Sequence, residues 1–297
     1  MAKTTDSGSR TLISDAQIGR GRGKALYWIV LIAVVVVFTL VFIGPLYWMV
    51  TGAFKSGQEI AQTPPTLFPK HPEPSNYSDA WSDLNLGKLM FNTFYYAAGA
   101  VVFQLVFDTA AAYALSKLRP VFGNVVLGLM LATLMIPAMV LIVPQYVTAI
   151  DLPLVHVSLL DSPWAIWLPL IANAFNIFLL KRFFDSIPED LMAAAMVDGA
   201  SPLRTLWSII LPMSRPILGV VSIFAVTAVW KDFLWPKLVM PSPETRTLSV
   251  GIYAFSGGSP MNEVVAASVI AAIPTVIIFL IFQRNIMSGL TAGSVKG

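Results

Sequence analysis

Residues 27–50 read YWIVLIAVVVVFTLVFIGPLYWMV, a run of 24 residues that contains no Asp, Glu, Lys or Arg. A hydrocarbon core about 30 Å thick is crossed by a helix of about 20 apolar residues. A cleavable signal peptide has a shorter apolar stretch, of about 7–15 residues, followed by a small-residue cleavage site. Since this run is longer and no such site follows it, we predict a retained membrane-spanning helix.

The composition of the whole chain agrees with this first run. The 297 residues are 56% apolar and 12% charged, and the mean hydropathy is +0.74. Soluble domains carry about 25% charged residues, so the soluble, disordered and collagen-like classes are excluded and the lipid bilayer is the expected surroundings. The chain has no cysteine, which excludes disulfides and thiolate chemistry. Low charge spread over long apolar runs argues against nucleic-acid binding.

Five more apolar runs are long enough to be considered as spans. With the first run, the predicted spans are residues 27–50, 89–116, 124–143, 163–183, 216–230 and 264–282. We therefore predict an all-α membrane protein with six transmembrane helices, in which residues 1–24 form a tail and residues 25–297 form one membrane domain.

The distribution of Lys and Arg sets the direction of these spans. Six spans place 13 of the 19 basic residues on the side of both termini and 6 on the opposite side. Basic residues concentrate in cytoplasmic loops, so we predict that both termini and the loop 184–215 are cytoplasmic. The loops 51–88 and 231–262 then lie outside.

The cytoplasmic loop 184–215 has the sequence of two short helices joined by a turn. Ser186 and Glu189 have the spacing of a capping box at the start of the first helix. Gly199 is the residue type that follows a helix end, and Ser201 is a suitable N-cap for a second helix that is predicted to end before Pro212. The loop is thus predicted to be a helix–turn–helix elbow that stands off the membrane.

The same loop resembles the cytoplasmic loop of permease subunits in binding-protein-dependent ABC importers, which has the pattern E-A-A-x3-G-x9-I-x-L-P. The residues that match it are Ala194, Ala195, Gly199, Ile209, Leu211 and Pro212. Residues 187–188, 197–201, 230–236 and 289–297 are also similar to the second permease subunit of maltose-type carbohydrate importers.

This resemblance implies the type I importer permease fold, with a coupling helix between transmembrane helices 4 and 5. It implies a non-catalytic subunit that translocates a di- or oligosaccharide delivered by an extracytoplasmic sugar-binding protein. The other implied partners are a second homologous permease and an ATP-binding-cassette ATPase dimer, in a bacterial or archaeal cell membrane. No phosphate-binding loop G-x-x-x-x-G-K-[ST] occurs, so ATP and Mg²⁺ are expected on the ATPase, with no cofactor or metal on this chain.

One position departs from the family pattern, because its Glu is replaced by Ala193. In the family that Glu engages basic groups of the ATPase, so other acidic residues become the candidates for this contact. The candidate ATPase-coupling residues are Glu189, Asp190, Ala194, Ala195, Asp198, Gly199, Leu211 and Pro212. The alternative is that the acidic residues only cap helices and that Asp198–Gly199 is an ordinary turn.

Polar residues inside the apolar runs are the candidates for a solute path. Asp108 is the clearest ionisable residue within a predicted span, and such groups face a bundle interior or a cavity. The full set of candidates is Asn92, Gln104, Asp108, Asn173, Asn176, Trp230 and Asp232. The alternative for each of the polar ones is a hydrogen bond between helices or a salt bridge to the partner permease, and for the tryptophan a place in the interfacial aromatic belt.

Two other functions remain to be compared with the importer. An ion-coupled secondary carrier would use Asp108 as its titrating group and would transport as a single polypeptide. A membrane-bound enzyme or scaffold would require a reactive cluster, and the sequence contains none of the usual hydrolase or metalloprotease motifs.

The outer loop 231–262 contains Gly257, Gly258 and Ser259 at its tip. The resemblance implies that this tip reaches the cleft of the docked sugar-binding protein, since small polar residues fit a narrow space. A plain surface turn has the same composition.

Overall fold

The computed structural model describes residues 21–292, and the side chains of residues 24–281. Residues 1–20 of the predicted tail 1–24 lie outside the described residues. Residues 293–297 of the C-terminal segment lie outside them as well. Within the described range, the chain is built from helices joined by short loops. In chain order they are α1 (Gly21–Gly52), α2 (Gly57–Ile60), α3 (Ser75–Asp83), α4 (Leu86–Leu118), α5 (Gly123–Thr133), α6 (Ala138–Ile150), α7 (Trp164–Leu170), α8 (Ala174–Asp185), α9 (Glu189–Val197), α10 (Pro202–Met213), α11 (Arg215–Lys231), α12 (Leu234–Val239), α13 (Leu248–Phe255) and α14 (Met261–Ala292).

Three of these helices are long and apolar enough to cross a membrane singly: α1, α4 and α14. Three pairs of consecutive helices pass the same test together but are bent at a short break, by 101° between α5 and α6, 48° between α7 and α8, and 83° between α10 and α11. If each pair is one span, the described residues contain six spans by length and composition. The predicted all-helical fold with six spans is confirmed at this level.

The third predicted span, residues 124–143, is not one straight helix. α5 ends at Thr133 and α6 begins at Ala138, after Pro137. Proline cannot donate the backbone hydrogen bond that continues a helix, and it disfavours helical backbone in the residue before it. The prediction of a continuous helix across Pro137 was therefore wrong.

α4 lies at the centre of the fold and packs against α7, α8, α11 and α13. Its close packing with α13 depends on Gly251, where a Cβ atom would lie 2.3 Å from a methyl carbon of Leu89. One buried apolar cluster of the fold lies around Tyr113, Phe184 and Ile210, where α4, α8 and α10 meet. The inner core is thus organised around one long helix.

α1 differs from α4 in that it is apolar on every side and packs on little else than α14. None of the residues in its most apolar stretch is buried within this chain, whereas a third of the corresponding stretch of α4 is buried. A helix that is hydrophobic all round is covered in the working molecule by lipid or by other helices.

The loop 51–88 is an ordered segment. It contains α2 and α3, and the buried Asn76 amide donates to the carbonyl oxygens of Ala53 and Lys55 at 2.9 Å each. In the same loop Glu59 accepts hydrogen bonds from the Thr66 hydroxyl and the Lys70 backbone N–H. The Thr66 hydrogen bond is the main cause that lowers the pKa of Glu59.

Candidate functional site

The elbow, residues 184–215, begins differently from the predicted capping box. Ser186 is the C-cap of α8, and its hydroxyl donates to the carbonyl oxygen of Phe183 at 2.6 Å, while Pro188 is the N-cap of α9. Glu189 does not reach back to a backbone N–H; it forms an ion pair with Arg119, which follows α4. The capping box was therefore wrong, because the serine is used by the helix before it.

The turn of the elbow agrees with the prediction. α9 ends at Val197 with Asp198 as its C-cap, and Gly199 has a φ of +70°, in the left-handed region that glycine enters at little cost. The Ala200 N–H donates to the carbonyl oxygen of Ala195 at 2.9 Å. The Ser201 hydroxyl accepts from the backbone N–H three residues later and caps α10. The two helices are thus joined by a tight turn that is held by backbone hydrogen bonds.

α10 runs further than predicted. It includes a π-helical turn at Leu206–Ile210 and continues through Pro212 to Met213, so its predicted end before Pro212 was wrong. The wide turn ends two residues before Pro212, which cannot donate a backbone hydrogen bond. Turns of this π-helical kind often occur at functional sites. Leu211 packs on the buried cluster around Tyr113, Phe184 and Ile210, while Pro212 is exposed.

The exposed surface of the elbow is more apolar than the sequence pattern indicated. Of the two motif alanines, Ala195 is buried inside this chain and Ala194 is exposed. The acidic candidates Asp190 and Asp198 are exposed as well. Beside them, large apolar side chains with exposed fractions of 68–88% are Met196, Val197, Leu203 and Trp207. These four residues lie outside the family pattern, although apolar residues in a short loop between predicted spans are a readable signal of a contact surface.

Four of the solute-path candidates form a buried polar cluster where α4 meets the break between α7 and α8. Asn173 caps α8, its side chain accepts from the Asn176 backbone N–H at 3.1 Å, and its own N–H donates to the Asp108 carboxylate at 2.8 Å. The Asn176 amide donates to the Gln104 side-chain oxygen at 2.9 Å. Asp108 has no exposed surface. The cluster thus joins two helices, and its carboxylate lies at a helix N-terminus, where negative charge is favoured.

The other three candidates also have contacts inside the chain. The Asn92 amide donates to the backbone carbonyl oxygens of Glu244 and Arg246 in the outer loop, at 2.8 and 3.0 Å. Trp230 is buried, with its ring edge-on to Phe94. Asp232 accepts a long hydrogen bond from a backbone N–H in the first turn of α12 and lines a cavity of about 320 Å³ between α6, α7 and α11.

The outer tip, Gly257–Ser259, is held only through its backbone. The N–H groups of Gly258 and Ser259 both donate to the Phe255 carbonyl oxygen at 3.0 Å. A Cβ atom at Gly257 or Gly258 would meet nothing within 4 Å. Both glycine positions of the tip are therefore free of close contacts with the rest of this chain.

A cluster of hydrogen bonds that no sequence motif predicts lies at Asp161, where the loop after α6 meets residues 242–245. Its carboxylate accepts from the backbone and hydroxyl of Ser242, at 3.0 and 2.7 Å, and from the Thr245 hydroxyl at 2.5 Å. Burial alone would raise the pKa of Asp161, but the hydrogen bonds from Thr245 and Ser242 and the nearby Arg246 lower it. No sequence motif marks this residue, because its partners lie about 80 residues further along the chain.

One known protein family matches a part of this chain that includes the elbow. The family of binding-protein-dependent transport system inner membrane components matches residues 109–291, more than half of the chain. The matched region extends from α4 through the elbow and the outer tip into α14. The chain belongs to this family. The resemblance seen in the elbow motif is thereby confirmed.

Relatives of this inner membrane component are similar over most of their length. The sulfoquinovosyl glycerol transport system permease protein of Agrobacterium fabrum is 33% identical over 85% of this chain and 88% of its own. The diacetylchitobiose uptake system permease protein of Streptomyces coelicolor is 29% identical over 89% and 87%. The sn-glycerol-3-phosphate transport system permease protein of Yersinia enterocolitica is 31% identical over 86% and 92%.

Solved structures agree with this family assignment. A chain of a bacterial ABC transporter involved in the import of the acidic polysaccharide alginate superposes with a TM-score of 0.78 at 26% identity, over 89% of this chain and 98% of that chain. A second chain, from the bacterial alginate ABC transporter in complex with alginate pentasaccharide-bound periplasmic protein, has a TM-score of 0.65 at 17% identity and supports the fold alone. The fold of this inner membrane component is therefore that of an ABC importer permease.

Proposed function

We propose that this inner membrane component is the permease subunit of an ABC importer that translocates a sugar, of di- or oligosaccharide size, delivered by an extracytoplasmic binding protein. The observation that carries the proposal is the family match across an elbow whose Gly199 turn is intact. The sugar assignment is supported by the names of two relatives, which refer to sulfoquinovosyl glycerol and to diacetylchitobiose. It is also supported by the similar solved structure, which is described as involved in alginate import.

The proposed partner of the elbow is an ATPase dimer. Apolar side chains are costly to leave in water, and Met196, Val197, Leu203 and Trp207 supply an exposed apolar surface beside the turn. In this proposal ATP and Mg²⁺ bind the ATPase, this chain holds no cofactor and catalyses no reaction, and movement of the ATPases is passed to the membrane helices as a rigid-body shift.

A second permease subunit is the proposed partner of the membrane face. α1 leaves its apolar surface uncovered by the rest of this chain. Helices associate in lipid through close packing, so a homologous permease is a suitable neighbour for this surface, with lipid covering the remainder. The setting is a bacterial or archaeal cell membrane, with both termini on the cytoplasmic side.

The extracytoplasmic binding protein is proposed to meet the outer tip. Gly257 and Gly258 keep ordinary backbone angles and have no close neighbours within this chain. Their small size therefore has no internal requirement, which supports an approach by another surface.

The buried Asp108 favours the importer over an ion-coupled carrier. Its carboxylate accepts a hydrogen bond from the backbone N–H of Asn173, the N-cap of α8. This bond gives Asp108 a structural role at the break between α7 and α8. Asp108→Asn keeps an acceptor oxygen for that N–H but removes the titrating group. It should therefore retain ATP-dependent uptake.

The experiment is sugar uptake by proteoliposomes that hold the complete complex, with its binding protein, energised either by ATP or by a proton gradient. We expect uptake with ATP alone, in the parent complex and in Asp108→Asn. Uptake that follows the proton gradient without ATP, and that Asp108→Asn abolishes, would overturn the proposal.

A further inference from the structure

One helix, α4, is hydrogen-bonded at three levels to three functional parts of the chain. At its cytoplasmic end it holds the elbow, in its middle it holds the break between α7 and α8, and at its outer end it holds the outer segment, defined as residues 241–248. A helix of 33 residues is about 50 Å long at 1.5 Å per residue, enough to cross the membrane and reach both surfaces.

At the cytoplasmic end, α4 is bonded to both helices of the elbow. The Lys117 ammonium donates to the Ile187 carbonyl oxygen at 2.8 Å, directly before α9. The Tyr113 hydroxyl donates to the carbonyl oxygen of Pro202, the first residue of α10, at 3.1 Å. Ile187 itself is buried in the apolar cluster that contains Tyr113. The elbow therefore cannot shift relative to α4 without breaking polar and apolar contacts.

The last turn of α4 has a backbone conformation that brings its polar side chains to the elbow. This turn, Ala114–Leu118, is π-helical, and Ser116 within it donates to the Asp185 carboxylate at 2.7 Å. A π-turn holds one residue more than an α-turn, and it rotates the residues that follow around the helix axis. Lys117 and the Arg119 that pairs with Glu189 thus reach the start of α9.

At the outer end, α4 is bonded to the backbone of the outer segment. The Thr93 hydroxyl accepts from the Leu248 N–H at 2.8 Å, and the Tyr96 hydroxyl donates to the Thr245 carbonyl oxygen at 2.8 Å. Asn92 adds its two hydrogen bonds to the same segment. The side chains of one helix face therefore fix several backbone groups of the outer segment.

We propose that α4 is the element that carries movement between the elbow and the outer segment, and that Tyr113 and Lys117 are the residues that fix it to the elbow. The proposal rests on the proposed function, since it assumes an ATPase that moves the elbow. Packed helices transmit displacements as rigid bodies because their interiors are as dense as crystals. A shift of α9 and α10 therefore moves α4, and with it the backbone of the outer segment.

The test uses the absence of cysteine from this chain. A fluorescent label is placed at Ser208→Cys on the elbow or at Pro243→Cys on the outer segment, both exposed positions outside the proposed docking residues, in the complete complex reconstituted in nanodiscs with cysteine-free partners. ATP is added, and the response of each label is compared in the parent, Lys117→Met and Lys117→Arg. Methionine keeps the apolar stem without a donor, whereas arginine keeps the charge and the donor.

We expect the elbow label to respond in all three proteins. The outer label should respond in the parent and in Lys117→Arg, and its response should fall about fivefold or more in Lys117→Met. An equal outer response in Lys117→Met overturns the role of α4. Tyr113→Phe, which removes only one hydroxyl, gives a second and milder variant, and its outer response should fall less.

A different outcome separates the two proposals. If the elbow label in the parent never responds to ATP, or no ATPase assembles with the chain, the proposed function itself fails. If the elbow label responds and the outer label responds equally in the parent and in Lys117→Met, only the role of α4 fails.

Discussion

The elbow turn and the outer tip are both glycine-containing turns between helices, but the structure holds them in different ways. Gly199 has a φ of +70°, which side-chain-bearing residues rarely adopt, and its turn is flanked by capped helices. Gly257 and Gly258 have ordinary backbone angles and no neighbour within 4 Å of a Cβ position. At the elbow, the backbone conformation thus requires a glycine. At the tip, no contact or backbone angle within this chain requires one.

The difference separates internal from external constraints. At the elbow, a substitution strains the chain itself and changes the angle between α9 and α10. At the tip, a substitution is tolerated by the chain, so any functional effect must arise from another molecule. The following predictions test this distinction, from the largest expected effect to the smallest.

The largest effect is expected from Gly199→Val. Left-handed backbone costs an L-residue about 1–2 kcal/mol, and a β-branched side chain is the least suited to it. The variant should assemble but lose most sugar transport per ATP hydrolysed, measured in proteoliposomes of the complete complex.

Gly199→Asn is the matched control, because asparagine tolerates left-handed backbone better than other residues with a side chain. It should retain more transport than Gly199→Val. Equal losses in both variants would mean that the side chain blocks a partner rather than strains the turn, and wild-type transport in Gly199→Val would remove the elbow turn from the mechanism.

An intermediate effect is expected from replacing Gly257 and Gly258 together with glutamine. The chain leaves room for these side chains, so its thermal unfolding should not change. Stimulation of ATP hydrolysis by the binding protein should fall severalfold if the tip meets that protein. Unchanged stimulation would make the tip a plain surface turn.

A smaller effect on the fold is expected from Asp161→Asn. Asparagine tolerates the φ of 57° at this position but gives up one acceptor oxygen and the charge. A lost charged hydrogen bond costs about 1.5–3 kcal/mol, so the unfolding temperature of the purified chain should fall. Asp151→Asn, at an exposed carboxylate in the same loop, is the control and should leave it nearly unchanged.

The pH dependence of this effect follows from the direction of the pKa shift. Since the pKa of Asp161 is lowered in the folded protein, its stabilisation is present above the ordinary aspartate pKa of about 4 and is lost as the pH falls through the lowered value. The difference between the parent and Asp161→Asn should therefore be constant between about pH 6 and pH 8. A difference that disappears within that range would contradict the assignment.

The smallest effect is expected from Glu189→Ala. Its ion pair with Arg119 is about two-thirds exposed on both sides, and exposed pairs contribute about 0.2–1 kcal/mol. Thermal unfolding should hardly change. A large loss of ATPase binding in this variant would mean that Glu189 contacts the partner directly, as the sequence analysis predicts, rather than only through Arg119.

Much of the fold was predictable because membrane helices are constrained by length and composition. α1, α4 and α14 follow directly from apolar runs, and the Gly199 turn follows from the backbone freedom of glycine. The break at Pro137 is readable from the proline itself, which precedes the first residue of α6. The capping of α8 by Asn173 was not assigned, although asparagine is a common N-cap.

Other features could not be predicted because they depend on contacts between distant parts of the chain. The π-turns of α4 and α10 have no local sequence signature, and Asp161 finds its partners in another loop. The contacts of Lys117 and Tyr113 with the elbow require the packing of α4 against α8. Polar residues in the spans were readable as important, but whether they line a path or join helices is a question of three-dimensional placement.

Cross-linking at Val197→Cys tests the central claim, that the elbow is the cytoplasmic docking site of an ATPase, most directly. Val197 is 88% exposed beside the turn, in a chain without other cysteines. In membranes that contain the complete complex, we predict that a short bifunctional cross-linker joins this position to the ATPase. We also predict that an impermeant thiol reagent added to intact cells does not label it. Labelling from outside, or normal sugar uptake with no cross-link to the ATPase, would contradict the account.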